Sequence, residues 1–117
     1  MTLNRYYLIT TTLLVLHSCD YRTPSKDRFE KITGINLYDS IQVTEDRFEE
    51  SGPDYGLFYK VSLSKSDCLE MCNKIRKSKD WTEDEEVWRF YKAVDGTIYN
   101  ITFYPDMCRF SYIEELI

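Results

Sequence analysis

Val87-Trp88-Arg89-Phe90-Tyr91-Lys92-Ala93-Val94-Asp95-Gly96-Thr97-Ile98-Tyr99-Asn100-Ile101-Thr102-Phe103-Tyr104 reads as two strands joined by a two-residue turn. Asp95-Gly96 suits a hairpin turn whose two central residues both take positive φ. Pairing outward from it sets Val94 opposite Thr97, Lys92 opposite Tyr99, Phe90 opposite Ile101 and Trp88 opposite Phe103, a mostly apolar set on one face. A second turn at Tyr104-Pro105-Asp106-Met107 then brings Cys108 beside Phe103, Phe110 beside Ile101 and Tyr112 beside Tyr99. Three strands agree on one buried face, and a slip of one residue would invert a whole strand. A helix through Val87, Tyr91 and Val94, boxed by Thr82 and Glu85, is the competing reading. The cross-strand agreement outweighs it.

Working outward, Ser64 opens the best helix in the chain, with its hydroxyl as cap and Asp67 in the reciprocal acidic position. Cys68, Leu69, Cys72 and Ile75 form an apolar stripe at helical spacing, and Lys74, Arg76, Lys77 and Lys79 crowd the end that favours cations. Asp80 to Glu86, including the run Glu83-Asp84-Glu85-Glu86, reads as a solvated acidic connection. Before the helix, Leu57 to Leu63 alternates as a strand, Ser51-Gly52-Pro53-Asp54 is turn chemistry, and Ser40 to Phe48 is a further strand. Asp27 to Ile32 forms a short helix that Gly34 ends. The expected fold is α+β: an antiparallel sheet of about five strands with one main helix packed on one face, in the order α-β-β-α-β-β-β.

At the other end of the chain, Leu13-Leu14-Val15-Leu16-His17-Ser18-Cys19 follows Arg5 and an uncharged run from Tyr6 to Leu16. That run is shorter than the roughly 20 apolar residues of a membrane-spanning helix. The stretch resembles a bacterial lipoprotein signal with its lipobox, a resemblance confined to residues 1–20. It implies that residues 1–18 are a signal peptide, that Cys19 is lipidated through a thioether to diacylglycerol, and that the protein is anchored on the outer side of a bacterial envelope membrane. Residues 19–27 then make the lipidated cysteine and a short tether, and 28–117 one small domain. A tether of that length reaches less than about 30 Å.

Removing the signal leaves 99 residues, enough for one domain, with 14 basic and 20 acidic side chains. An acidic balance of that size argues against a nucleic-acid partner, which needs a basic footprint. The only histidine, His17, leaves with the signal, and with it go the commonest general base and the commonest metal ligand. No nucleophile elbow, phosphate loop or metal motif is present. Scattered carboxylates such as Glu45, Asp54, Asp95 and Asp106 show no pairing, so no catalytic residue, no metal and no cofactor is expected.

Three further cysteines remain, Cys68, Cys72 and Cys108, in a compartment that favours disulfides. Cys68 and Cys72 lie one helical turn apart, where Cβ atoms are about 6 Å from each other against the roughly 3.8 Å that a disulfide needs. The expected bond therefore joins the helix to Cys108. Cys72 is the first choice of partner, being nearer the helix centre, and Cys68 is the alternative. On the hairpin's other face Val87, Arg89, Tyr91, Ile98, Thr102 and Tyr104 make a candidate contact surface, since tyrosine and arginine are favoured where proteins meet. The sequence thus points to a membrane-tethered envelope lipoprotein acting as a non-catalytic protein-binding or structural module. The alternative is an immunity or lysozyme-inhibitor-type lipoprotein whose acidic run meets a basic partner.

Overall fold

The computed structural model describes residues 22–116. The signal segment and Cys19 lie outside these residues. Helix α1 (Ser25–Thr33) is followed by strands β1 (Gln42–Ser51) and β2 (Asp54–Ser62), helix α2 (Lys65–Lys77), and strands β3 (Trp81–Asp84), β4 (Val87–Val94) and β5 (Thr97–Tyr104). A single 3-10 turn (Pro105–Met107) then leads into β6 (Arg109–Leu116). The fold is α+β, with one open antiparallel sheet in the order β1-β2-β6-β5-β4-β3.

The alternation of β2, β4, β5 and β6 drives the architecture. Leu57, Tyr59 and Val61 on β2 face the same way as Phe110 and Tyr112 on β6, Ile101 and Phe103 on β5, and Phe90 on β4, and all are buried. Both helices cover this face. From α1, the Phe29 ring stacks on Phe110 with centroids 4.4 Å apart and meets Tyr112 edge-on at 6.1 Å. From α2, Cys68, Met71 and Ile75 enter the same core. On the opposite face of the sheet no described residue is fully buried. The result is two layers and one bare face, an arrangement that antiparallel sheets tolerate in water.

The local expectations that rested on backbone chemistry are met, except that the Asp67 carboxylate accepts from the Ser40 hydroxyl at 2.6 Å rather than closing the capping box at Ser64. Ser64 caps α2 by accepting from the Asp67 backbone N–H at 3.2 Å. Gly34 ends α1 in the left-handed region (φ 73°), its N–H bonded to the Glu30 carbonyl at 2.9 Å. The hairpin across Asp95-Gly96 has the expected register from Val94↔Thr97 to Trp88↔Phe103.

Four features differ. The sheet has six strands, because Trp81–Asp84, expected as a loop, pairs with β4 as an edge strand. Its turn is Glu85-Glu86, with φ values of 50° and 68°. Two glutamates carry none of the asparagine or glycine chemistry that announces such a turn. Second, β6 is shifted by two residues against β5: Phe110 pairs with Phe103, Tyr112 with Ile101, and Glu114 with Tyr99. The 3-10 turn and Cys108, itself left-handed at φ 49°, take up the extra chain. An even shift leaves the buried face unchanged. Third, α2 is turned so that Met71 is buried while Leu69, expected in the stripe, is 69% exposed. Fourth, α1 starts inside the expected tether: Ser25 is buried and its hydroxyl donates to Asp46 on β1 at 2.6 Å.

Candidate functional site

Strand β6 carries Tyr112-Ile113-Glu114, and alternation brings both Tyr112 and Glu114 onto the helix-covered face. Glu114 is only 2% exposed. A buried carboxylate must be paired or hydrogen-bonded to stay charged, and here three donors converge on it. Tyr112 donates to Oε1 at 2.5 Å. Arg28 of α1 donates through Nη1 to Oε2 at 2.6 Å, and Tyr55 at the start of β2 donates to the same oxygen. The guanidinium is itself fixed, its Nε donating to the Thr23 carbonyl at 3.0 Å.

Around this cluster the space between α1 and the sheet opens into a pocket of about 390 Å³, lined by Arg28, Lys31, Ile32, Tyr55, Tyr99 and Glu114 among others. Burial and the neighbouring Glu114 carboxylate push the phenols of Tyr112 and Tyr55 upward. Tyr99 is raised for the same two reasons. None of the three ionises near neutral pH. The three donors fix the carboxylate in place, two of them on Oε2 and one on Oε1. The cluster therefore works as a clasp that pins α1 to β2 and β6.

Sequence reasoning did not find this clasp. Arg28 and Glu114 are 86 residues apart, so no local spacing couples them. The one available signal was a glutamate at an inward-facing position of a strand, where a charge needs an explanation.

The residues that sequence reasoning did single out come together on the bare face. Val87, Arg89 and Tyr91 on β4 and Ile98, Thr102 and Tyr104 on β5 point to the side opposite the helices. Tyr91 is 64% exposed, while Val87, Ile98, Thr102 and Tyr104 are half-buried by their neighbours. The face continues across β6 and β2 with Ile113 and Phe58. Arginines lie over its rings: Arg47 is 4.3 Å from the Phe58 centroid and Arg109 is 5.7 Å from that of Tyr104. Arg89 pairs with Asp84 at 3.2 Å. A pocket of about 280 Å³ between β1 and the β5–β6 end includes Lys60, Tyr104 and Arg109.

The three cysteines after residue 22 are free thiols. Cys68, rather than Cys72, is the one whose sulfur reaches the β5–β6 turn that carries Cys108. The four carboxylates noted above stay apart: Asp95 sits in the β4–β5 turn, Asp106 in the 3-10 turn, Asp54 at the start of β2, and Glu45 on β1 beside Arg47 and Lys60. Among the described residues no group of three or more metal-ligating side chains comes together, and no helix is long and apolar enough to cross a membrane. No protein-family model matches the chain, and neither a curated protein nor a solved structure matches it.

Proposed function

We propose that the protein is a membrane-tethered lipoprotein of the bacterial envelope that binds a partner protein on the bare face of its sheet. The observation that carries this reading is the asymmetry of the sheet. One face is sealed by two helices; the other presents Tyr91, Tyr104, Ile98, Val87, Phe58 and Ile113 with arginines laid over the rings. Tyrosine and arginine are enriched at protein interfaces. The lipobox-like stretch before Cys19 supplies the membrane, and α1 begins at Ser25, so little chain separates the domain from its anchor.

A second reading has its own support. The acidic run Glu83–Glu86 is the tip of a hairpin, with Glu85 and Glu86 both fixed at positive φ. An exposed acidic tip suits the basic cleft of a toxin or a lysozyme-like hydrolase, which fits an immunity or inhibitor role.

The test places a photo-crosslinking amino acid at Tyr91, at Leu69 on the opposite side of the molecule, or at Glu86 in the acidic turn, in the full-length protein within its native envelope. The reading expects one defined adduct from position 91 and none from 69. Equal adducts from both, or none from the bare face, defeat it. Adducts confined to position 86 favour the inhibitor reading. Cys19→Ala should release the protein from membranes, and a variant that stays bound removes the anchor from the proposal.

A further inference from the structure

Cys68 sits in the first half of α2, only 5% exposed, and its thiol donates to the Pro105 carbonyl at 3.5 Å. Cys108, immediately after the 3-10 turn, has its sulfur 3.7 Å from the same oxygen. Two thiols thus share one acceptor across the gap between helix and turn. The backbones that carry them are already tied together. The Leu63 N–H, one residue before the Ser64 cap of α2, donates to the Cys108 carbonyl at 2.8 Å. Cys108 also occupies a left-handed backbone position (φ 49°), where a residue with a Cβ is strained and glycine or asparagine would serve the turn better.

We propose that Cys68 and Cys108 are a disulfide-forming pair, with Cys72 left as the thiol. The bond staples α2 to the β5–β6 turn and demands no new backbone contact, since the Leu63–Cys108 bond already fixes the approach.

The order of events follows from the surroundings of the two sulfurs. Burial, helped by the hydrogen bond with Cys108, pushes the Cys68 thiol up to about 12, so it stays protonated. Cys108 is half-exposed and reacts first. Its thiolate attacks the disulfide of an oxidant, either a small-molecule disulfide such as oxidised glutathione or a disulfide oxidase protein. A sulfur–sulfur bond forms to Cys108, the oxidant's own bond breaks, and one oxidant sulfur departs with the electron pair as thiolate. Cys68 then gives up its proton and attacks the Cys108 sulfur, expelling the second oxidant sulfur. Two protein thiols have lost two electrons, and one oxidant disulfide has become two thiols that carry the two protons.

The experiment uses the full chain, reduced and then exposed to oxidised glutathione, followed by alkylation and non-reducing peptide mapping. The expected product is a single linked pair, Cys68 with Cys108, and an alkylated Cys72. Linkage through Cys72, or complete alkylation of all three, overturns the assignment. Cys68→Ser should arrest Cys108 as its glutathione mixed disulfide, and Cys72→Ser should leave the linkage intact. Loss of the linkage in Cys72→Ser, with the variant folded by circular dichroism, also overturns it. Closing this loop should raise the folding equilibrium constant on the order of 10²–10³-fold over the reduced protein. An unchanged urea midpoint would deny the staple any structural role.

Discussion

Tyr112 donates its phenol to Glu114 at 2.5 Å from two positions earlier on the same strand, so one alternation carries both the acid and one of its donors under α1. Arg28 completes the pairing from the helix at 2.6 Å. Removing one partner of a buried pair leaves an uncompensated charge, which costs about 3–5 kcal/mol for full burial. Arg28 is partly solvated, its side chain being 23% exposed, so Arg28→Met should fall toward the low end, about 2–3 kcal/mol. The double variant Arg28→Met/Glu114→Leu should lose less than the sum of the two single variants, although it leaves the Tyr112 and Tyr55 phenols without their acceptor. Urea unfolding of the two single variants and the double closes the cycle. Strictly additive losses would mean that the clasp is not a coupled unit.

The clasp also marks where the sequence stopped being legible. The β4–β5 hairpin could be read because Asp95-Gly96 states its own turn and every outward pair then agrees. The next turn could not. Pro105 signals that the chain bends, but nothing local says that Cys108 will adopt a left-handed conformation and add two residues to the register. The clasp was hidden for another reason: Glu114 faces inward in either register, but its partner Arg28 lies 86 residues away on α1. The bare-face residues from Val87 to Tyr104 lie on β4 and β5, whose register is as expected, so the shift of β6 does not touch them. The rotation of α2 escaped for a different reason. Leu69 and Met71 are both apolar, and only the tertiary position of the sheet decides which one is buried.

Stability should fall in alkali. Burial pushes Tyr59 up to about 12, and burial with the Glu114 bond pushes Tyr112 upward as well. In the unfolded chain these phenols lose protons near pH 10. Above that pH the unfolded state binds fewer protons than the folded one, so unfolding becomes easier as pH rises. The contribution is fully present below about pH 10 and drains away toward the folded values, at about 1.4 kcal/mol per pH unit for each phenol. Urea midpoints measured from pH 8 to 11.5 should therefore be level and then drop. The drop should be shallower by one proton in Tyr59→Phe, a comparison in which the lysines cancel. Equal slopes would show that Tyr59 ionises freely.

The Glu85-Glu86 turn holds two side-chain-bearing residues at φ 50° and 68°. Each left-handed residue with a Cβ costs roughly 1–2 kcal/mol, and these two also lie in a run of four acids. The neighbouring turn does the same job with Asp95-Gly96, at φ 50° and 83°. Transplanting that chemistry as Glu85→Asn with Glu86→Gly should stabilise the protein by about 1–2 kcal/mol, offset in part by the extra freedom glycine gives the unfolded chain. Thermal unfolding of the double variant tests this. A lower midpoint would mean that the glutamates make contacts that outweigh their backbone cost.

Trp81 anchors the edge strand β3. Its indole is 5% exposed and tilts against Phe90 with ring centroids 5.4 Å apart, yet its Nε1 is buried with no hydrogen-bond partner among the described residues. Two effects therefore oppose each other at one residue: apolar burial that stabilises, and an unsatisfied donor that costs about 1–3 kcal/mol. Trp81→Ala removes both and leaves a cavity, for an expected loss of about 3–5 kcal/mol. Trp81→Phe keeps much of the burial and deletes the orphan N–H, so its loss should stay within about 1 kcal/mol. With four residues and acidic side chains, β3 has little else to hold it. Amide exchange at Thr82 and Glu83 should therefore accelerate strongly in the alanine variant and little in the phenylalanine one. If the two variants exchange alike, β3 is held by its backbone pairing with β4, and the indole is packed there without being what keeps the strand in place.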